Sequence, residues 1–389
     1  MTRRFPGVLA LLAPAFLLAA FAPASPARDK AADAAAKSLF DRGEILELSI
    51  EVSAKDADVL RRDPRKYVKC VLKEGKTVVG KDVGIHLKGA AGSFRGFDDK
   101  PGLTLNMDKF ADDQKFRGLD KFHLANSVQD GSYISELFCG ELFRAAGVPA
   151  ARCTHAVVTL NGRPRGFYYL KEGYDSDFLR RNFGHDVGNL YDGGFLQDID
   201  AKLQLITSKK DVKDQADLNA LLAASRIEDA AERFKKMDQL LEMDKFLSYV
   251  AMSMILCDWD GYPSKCNNYR VYHNPKTDKI TFIPSGMDQM LGDPNWPVMM
   301  QFGGRIARKV IDTPEGKKRY LARTGELLKT VFKVDDMVKR LDELEKRVQP
   351  ALARVDAGAG RDYKNQVNRL RDAVKQRHKT VTEQLKGLK

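Results

Sequence analysis

The chain has few of the residues that build disulfide frameworks or zinc sites. Its 389 residues include five cysteines and six histidines. An odd number of cysteines cannot form a complete set of disulfide bonds, and no histidine stands at zinc-ligand spacing from Cys257 or Cys266. A disulfide between these two cysteines after export is an alternative that the sequence permits. The composition therefore argues against a disulfide-stapled scaffold and against a structural zinc site.

Several common catalytic and ligand-binding motifs are also missing. Residues 89–96 are rich in glycine and alanine and follow a predicted strand, but they contain neither the Gly-Lys-Ser/Thr of a Walker loop nor a GxGxxG sequence. No histidine pairs with a serine or a cysteine in a nucleophile motif. Zinc-finger, homeodomain and RNP patterns are absent, so we expect no nucleic-acid partner.

Long apolar runs are absent except at the N terminus. Residues 1–27 combine Arg3 and Arg4 with an apolar stretch and a small-residue cleavage site, which is the pattern of a signal peptide. We therefore expect an exported protein, periplasmic, cell-surface or secreted, with no transmembrane segment after signal removal. Residues 28–44 are polar and alanine-rich, and we expect a flexible lead-in there to one large domain, residues 45–389.

The charge of the chain is basic but not concentrated. Lysine and arginine outnumber aspartate and glutamate by 65 to 53, which gives a formal net charge of +12. In the C-terminal region the basic residues alternate with acids, which is typical of solvated helix surface rather than of a nucleic-acid-binding stripe. The excess positive charge by itself could attract nucleic acid, anionic surfaces, or acidic or phosphorylated ligands.

Hydrophobic periodicity predicts strands mainly in the first half of the chain and helices mainly in the second. Residues 45–52 alternate apolar and polar side chains, as a half-buried strand does. Asn161-Gly162 lies between two strands and is a strong hairpin signal. Residues 132–146 carry an apolar stripe with helical spacing, and residues 211–243 are also predicted to be helical. The pattern indicates an α+β fold. The other predicted strands of the first half are residues 67–72, 76–79, 82–88, 102–107, 154–160 and 166–170.

A second predicted hairpin follows an acidic loop in the middle of the chain. Its strands, residues 269–272 and 280–283, are rich in β-branched and aromatic side chains and are joined by strong turn residues. The open end of such a hairpin brings Asn268 next to Asp288. Asp260 then shares the same small volume, so two carboxylates and an amide converge at the mouth of the hairpin.

The residue types at this mouth suit one kind of metal chemistry. Carboxylate and amide oxygens are hard ligands that suit Mg²⁺ carrying water and phosphate oxygens in its other positions. In protein kinases a first acid accepts the substrate hydroxyl proton, and an asparagine and a second acid then hold the metal. Asp258 competes with Asp260 for the first role, and Asn267 is a neighbour of or substitute for Asn268. The alternative is that all these residues are ordinary turn residues.

The first half of the chain offers candidate phosphate ligands. Lys88 and Ser93 flank the glycine-rich segment, whose backbone amides are able to approach an anion. Lys100 opens the next strand and could reach the same phosphates as a point charge. Glu136 or Glu141 of the predicted helix could be its partner. Each of these residues is also compatible with a solvated surface position.

Short motifs follow one another in a recognisable order along the chain. They include His86-Leu87-Lys88-Gly89, Leu160-Asn161-Gly162, Asp260-Gly261-Tyr262, Asn267-Asn268-Tyr269 and Met287-Asp288-Gln289. Together they resemble the CotH family of bacterial spore-coat proteins, which are atypical secreted protein kinases. The resemblance spans about residues 45–385.

The resemblance implies a protein-kinase-like, two-lobed fold. Its N-terminal lobe, about residues 45–172, would be mostly β, and its C-terminal lobe, about residues 173–389, mostly helical. It also implies ATP and Mg²⁺ in the cleft, and transfer of the γ-phosphate to Ser or Thr of an extracytoplasmic protein whose identity the sequence does not reveal.

Position by position, the resemblance also assigns roles to residues. Asp260 would be the base that orients the hydroxyl, and the metal ligands would be Asn268, Asn267 and Asp288. The ATP-binding residues would be Lys88, Ser93, Lys100, Glu136 and Glu172. Among these, Lys100 would pair with Glu136, and Glu172 would lie at the linker between the lobes. The chain departs from the family at Ser285-Gly286, where relatives commonly have Trp-Asp. A kinase-like scaffold without activity, serving surface or matrix assembly, is the alternative function. A metal-dependent phosphoester hydrolase is a third.

Overall fold

The computed structural model describes residues 26–207 and 215–388 and has an α+β architecture. Residues 1–25, which hold nearly all of the predicted signal peptide, lie outside the described residues. The first part of the fold contains seven long strands: β1 (Ile45–Val52), β2 (Val68–Glu74), β3 (Thr77–Lys88), β4 (Gly102–Asn106), β5 (Lys121–Ala125), β6 (Cys153–Leu160) and β7 (Arg163–Glu172).

These seven strands close into a barrel in the order β1-β2-β3-β4-β5-β7-β6. The pairing of β1 with β6 is parallel, and the other pairs are antiparallel. The alternation seen in the sequence of β1 is confirmed, because Leu46, Leu48 and Ile50 are buried inside the barrel core. Closure pairs every strand on both sides, which leaves no open sheet edge in this part of the fold.

Two differences from the predicted strands have local causes. Residues 76–79 and 82–88 form the single strand β3, which bends where its register with β2 shifts between Cys70 and Lys73. Strand β5 was not predicted, because its alternation of polar and apolar residues extends over only five residues. It is held in place by ladders to β4 and β7.

The second part of the fold surrounds a smaller sheet with helices. Its strands are ordered β11-β10-β8-β9, and they are β8 (Asn189–Asp192), β9 (Gln204–Leu205), β10 (Tyr269–Asn274) and β11 (Lys279–Pro284). The helices of the whole chain are α1 (Pro26–Arg42), α2 (Ala54–Arg62), α3 (Ser135–Ala145), α4 (Ser176–Phe183), α5 (Ala216–Ala224), α6 (Ala230–Leu240), α7 (Met243–Ile255), α8 (Tyr262–Lys265), α9 (Arg305–Ile311), α10 (Pro314–Thr330), α11 (Val334–Val355) and α12 (Ala357–Gly387).

The hydrophobic core is divided in the same way as the architecture. One cluster of buried side chains fills the barrel, and a larger one joins α3 to the helices from α5 to α12. The expected lead-in contains helix α1, whose Ala36 and Leu39 are buried against the barrel cluster. Across the described ranges, no helix combines the length and the apolar character needed to cross a membrane.

Candidate functional site

A cavity of about 750 Å³ lies where the barrel meets the helical part. Its lining comes from the end of β3, the glycine-rich segment after it, α3, β7 and the residues around the β10–β11 hairpin. The candidate site residues that line it are Lys88, Ser93, Glu136, Asp260, Asn267, Asn268 and Asp288. Of the predicted set, only Lys100 and Glu172 are not part of the lining.

The predicted hairpin is confirmed and extends further than expected. Strands β10 and β11 pair from Tyr269↔Pro284 at the open end to Asn274↔Lys279 at the turn. Beyond the open end, the backbone N–H of Ser285 donates to the carbonyl of Asn268 at 2.9 Å. This ladder bond fixes the start of the segment that leads to Asp288 beside the asparagines.

Gly286 allows the closest approach at this hairpin mouth. Its φ is +65°, in the left-handed region that favours glycine. A Cβ at this position would lie 2.7 Å from Oδ1 of Asn268. The backbone of the segment therefore packs directly on the side chain of Asn268, which holds its amide in place.

The two aspartates of the acidic loop differ in environment. Asp260 is half-buried, and its Oδ2 accepts hydrogen bonds at 2.9 Å from the side-chain amides of both Asn267 and Asn268. Burial raises the pKa of Asp260, and the two amide hydrogen bonds oppose this rise. The carboxylate of Asp260 is thus oriented by its neighbours while still reaching the cavity.

Asp258 is more enclosed than Asp260. It is 4% exposed, and burial together with the charge of Asp260 raises its pKa to about 8. A Cβ on Gly261 would lie 1.9 Å from Oδ2 of Asp258, so the loop closes tightly over this carboxyl. Burial thus favours the protonated form of Asp258, although this carboxyl also lines the cavity, and the more exposed Asp260 is the better candidate for accepting a proton.

Asp288 is half-buried on the same cavity, beyond the hairpin mouth. Burial and the nearby carboxylate of Glu136 raise its pKa to about 6. Among the described residues, no group of three or more His, Cys, Asp and Glu side chains is arranged to hold a metal ion. The oxygens of Asp288 and of the Asn268 amide are hard donors of the type that Mg²⁺ takes beside water or phosphate.

Glu136 pairs with Lys171 instead of Lys100. Lys171 of β7 donates to Oε1 of Glu136, and the backbone N–H of Met287 donates to Oε2 at 2.7 Å. Lys100 instead donates to the hydroxyl of Tyr133 at 2.8 Å. The predicted Lys100–Glu136 pair is therefore wrong, because Lys100 lies outside the cavity lining and is bound to Tyr133, whereas Lys171 is the lysine that reaches Glu136.

Aromatic rings explain where Lys100 is held. Its Nζ lies 5.0 Å from the ring centroid of Tyr133 and 5.3 Å from that of Tyr168. Cation–π contacts of this kind stabilise a lysine without a carboxylate partner. Burial lowers the pKa of Lys100 to about 8.

Glu172 is also unavailable to a ligand in the cavity. It is 1% exposed, and two arginines bind its carboxylate, with Nη2 of Arg152 at 2.6 Å and Nη2 of Arg181 at 2.5 Å. These ion pairs lower the pKa of Glu172 against the opposing effect of burial. Glu141, the other candidate partner of Lys100, binds Arg340 at 2.7 Å instead.

Lys88 is a cavity cation without an ion pair among the described residues. It is half-buried, and burial together with the charge of Lys171 lowers its pKa to about 8. The following segment is shaped by a tight turn, in which the backbone N–H of Phe94 donates to the carbonyl of Ala90 at 2.9 Å. Arg65 donates to the carbonyls of Leu87 and Gly89 and holds this segment to the barrel.

Two residues that the sequence did not suggest position Glu136. Lys171 is one, and its position as an ionisable residue at the end of an apolar strand could have identified it. Asp130 is the other: it accepts from the backbone N–H of Ser135 at 3.1 Å and from the hydroxyl of Tyr169 at 2.6 Å. It thereby caps the first turn of α3 and joins it to β7.

Cys257 and Cys266 are both free thiols in the described chain, so the disulfide that the sequence permits is not formed.

Comparison with known proteins gives one informative match. Two solved structures show distant likenesses. The Helicobacter pylori proinflammatory kinase CtkA is 8% identical, with 76% of this chain and 97% of that chain covered and a TM-score of 0.34. The Shewanella oneidensis MR-1 toxin–antitoxin system HipA, HipB with operator DNA is 14% identical, with 87% and 74% covered and a TM-score of 0.33. Likenesses this distant do not establish a shared fold. No curated protein matches the chain.

The family comparison, in contrast, covers most of the chain. The model described as CotH kinase protein matches residues 85–381. This range contains every residue that lines the cavity except Arg65. The chain therefore belongs to the CotH kinase protein family.

Proposed function

We propose that the protein is an ATP- and Mg²⁺-dependent kinase that transfers the γ-phosphate to a Ser or Thr hydroxyl of another protein. One observation carries this proposal: the hairpin mouth brings Asp260, Asn268 and Asp288 into the same cavity as Lys88 and Lys171. Phosphoryl transfer requires little covalent chemistry from the protein, and positioning plus charge neutralisation supply most of the catalysis. The cavity offers groups for both.

The two-part architecture supports a kinase-like division into lobes. The barrel, about residues 45–172, would be the N-terminal lobe, and the helical part, about residues 173–389, the C-terminal lobe. The barrel interior and the helical part each have a large cluster of buried side chains, with α3 packed into the helical one, and the cavity lies where the two parts meet. This division places the lysines on one lobe and the hairpin-mouth carboxylates on the other.

The hairpin-mouth residues fit a magnesium ion. Asp288 and Asn268 would hold it, with Asn267 as a neighbour, because their oxygens are of the type that Mg²⁺ prefers. The bound ion would neutralise the charge of the ATP phosphates. Glu136 supports Asp288 from behind, since its hydrogen bond to Met287 fixes the residue next to the metal ligand.

Asp260 is the residue proposed to receive the acceptor hydroxyl proton. Its two amide hydrogen bonds hold the carboxylate in one orientation, which is what a positioned general base needs. Asp258 would remain behind it as a neutral carboxyl. The burial and raised pKa of Asp258 support this division of roles.

Lys171 takes the phosphate-binding role that the sequence assigned to Lys100. It lines the cavity, is paired with Glu136 and lies on the strand that ends at the junction of the two parts. Lys88 would bind phosphate as a second cation. Because a bound anion favours the charged form of a lysine, Lys88 is expected to take up a proton when ATP binds.

The place of action is proposed to be outside the cytoplasm, in the periplasm, at the surface or beyond it. Support comes from the sequence pattern of residues 1–27 alone. N-terminal sequencing of the protein recovered from culture fractions would test this, and an unprocessed chain in the cytoplasm would contradict it.

The test of the nucleotide site is a thermal titration of residues 28–389 with ATP and MgCl₂. A ligand that binds only the native state stabilises it, by about 2.7 kcal/mol at 100 times its Kd. We expect a Mg²⁺-dependent rise in melting temperature that Asp288→Ala abolishes. Absence of a rise at millimolar ATP would favour the non-catalytic assembly scaffold instead.

Acceptor phosphorylation requires a second measurement. With radiolabelled ATP we expect label on a Ser/Thr-rich protein such as casein, or on the chain itself, and loss of this label in Asp260→Asn. Release of phosphate from simple esters in the absence of any protein acceptor would instead indicate a phosphoester hydrolase.

A further inference from the structure

Arg377 of α12 is among the largest fully buried side chains of the described residues, with 0% exposure. Its guanidinium forms no ion pair within the described ranges and instead donates to four backbone carbonyls. Nε donates to Ile255 at 2.9 Å and Nη2 to Met254 at 2.7 Å, whereas Nη1 donates to Pro294 at 3.1 Å and to Trp296 at 2.5 Å. A buried charge needs such complete hydrogen bonding to be tolerated.

The four carbonyls belong to two separate segments of the site. Met254 and Ile255 are the last two residues of helix α7, where the helix dipole favours a cation. The chain continues from there directly into the loop that bears Asp260. Pro294 and Trp296 follow Asp288 in the chain. The guanidinium of Arg377 therefore contacts backbone carbonyls in or next to both carboxylate-bearing segments.

Other hydrogen bonds join the same two segments to each other and to α12. The backbone N–H of Leu291 donates to the carbonyl of Leu256 at 2.7 Å. Gln384, two turns after Arg377, accepts from the backbone N–H of Val298 at 2.8 Å. Helix α12 thus fastens both segments, although it supplies none of the proposed ligands.

We propose that Arg377 is a positioning residue that sets the relative placement of Asp260 and Asp288 without touching the ligand. The planar guanidinium has donors in a fixed fork and is able to bridge two segments, which the single ammonium of lysine cannot do with the same geometry. This inference rests on the proposed function for its catalytic meaning. Its structural content is independent of any ligand.

The first test compares Arg377→Lys with the wild type in phosphorylation and in Mg²⁺ titration. Loss of a residue that orients metal-binding groups typically lowers metal affinity or activity by about 10- to 100-fold. We expect a loss of this size in kcat/KM and a parallel rise in the Mg²⁺ concentration that gives half-maximal effect. Arg371→Lys is the matched control, because Arg371 lies on the same helix and pairs with Asp342 and Glu345 instead.

Chemical rescue makes the assignment specific. In Arg377→Ala, guanidinium ion added well below denaturing concentrations is expected to recover part of the lost Mg²⁺ affinity, and ammonium is not. Equal recovery with both ions, or an unchanged Mg²⁺ requirement in Arg377→Lys, would overturn the proposal.

A readout without ligand separates this inference from the proposed function. Hydrogen exchange of the apo protein is expected to accelerate in residues 256–262 and 288–297 of Arg377→Lys, and not in the barrel. Gln384→Ala, which loses only the bonds of this side chain to Asn295, Trp296 and Val298 of the second segment, should accelerate residues 288–298 alone. Uniform acceleration throughout the chain would show a general structural role and overturn the inference. Failure of the wild type to bind Mg²⁺-ATP would instead reject the proposed function, while the exchange result still decides the role of Arg377.

Discussion

Lys171 and Glu136 form an ion pair in which each side chain is only 6% exposed. The second carboxylate oxygen of Glu136 accepts from the backbone N–H of Met287. One buried carboxylate therefore links the barrel strand β7, helix α3 and the segment that carries Asp288. Because this link crosses from the barrel to the helical part, it couples the proposed phosphate-binding and metal-binding sides of the cavity.

The first prediction separates the two candidate phosphate-binding lysines. Lys171→Met is expected to abolish the rise in melting temperature that Mg²⁺-ATP causes. It should also lower the free energy of unfolding by about 3–5 kcal/mol, because Glu136 is left as an unpaired buried charge. Lys100→Met, at a position outside the cavity, should retain nucleotide binding. Calorimetric titration and urea unfolding measure the two effects. Loss of binding in Lys100→Met with retention in Lys171→Met would restore the role assigned from the sequence.

The second prediction separates the base from the metal ligand. Asp260→Asn should keep the Mg²⁺-ATP shift but lose transfer by about 10²- to 10⁴-fold, the usual contribution of a general base. Asp288→Asn should lose the Mg²⁺-dependent part of the shift as well. Thermal titration and phosphorylation rates of the two variants are the measurements. If Asp260→Asn alone lost metal-dependent binding, the two roles would have to be exchanged.

The third prediction concerns the close approach at Gly286. Alanine is strained at its φ of +65° and at the φ of +72° of Gly162, at a cost of about 1–2 kcal/mol each. Only at position 286 would the new Cβ also contact Asn268, since nothing lies within 4 Å of a Cβ on Gly162. Gly286→Ala should therefore raise the Mg²⁺ requirement, and Gly162→Ala should change stability alone. Equal Mg²⁺ requirements in the two variants would show that the Asn268 amide does not contribute to the metal site.

The fourth prediction follows from the buried carboxyl of Asp258. Its pKa is raised to about 8 in the fold, compared with about 3.9 for an aspartate in an unfolded chain. Between these values the unfolded state is ionised while the native state keeps the proton, so this group makes stability fall as the pH rises, by up to about 1.4 kcal/mol per pH unit. At pH values below both pKa values the group contributes no pH dependence. At pH values above both, the loss of stability that it causes is complete.

Asp258→Asn should remove this dependence. The stability of the variant relative to the wild type is expected to increase with pH through the window and to level off above about pH 8. Urea unfolding of both proteins over this range measures the difference. A difference that is the same at every pH would mean that Asp258 ionises normally in the folded protein.

Much of the hairpin site followed from residues that are near one another in sequence. The turn between β10 and β11, the alternation of their side chains and the register they impose all lie within residues 269–284. These local patterns were sufficient to bring Asn268 and Asp288 together. Only a short additional loop is needed to bring Asp260 beside Asn268 and Asp288. Such contacts depend on hydrogen bonding and side-chain alternation that a few residues encode.

Side-chain pairing across the barrel did not follow from the sequence. Lys100 and Lys171 both lie at strand ends, yet barrel closure directs one towards two tyrosine rings and the other towards Glu136. The family resemblance placed Glu172 near a nucleotide, and nothing in its own segment reveals that Arg152 and Arg181 bind its carboxylate.

The sequence by itself therefore determined the α+β architecture, most of the strands and the group at the hairpin mouth. The tertiary structure alone decided which lysine meets Glu136, which carboxylates are exposed to the cavity, and that Arg377 contacts carbonyls more than a hundred positions earlier in the chain. The physical reason is distance along the chain. Local propensities fix elements, whereas the partners of buried charges are fixed only when barrel closure and helix packing bring remote segments together.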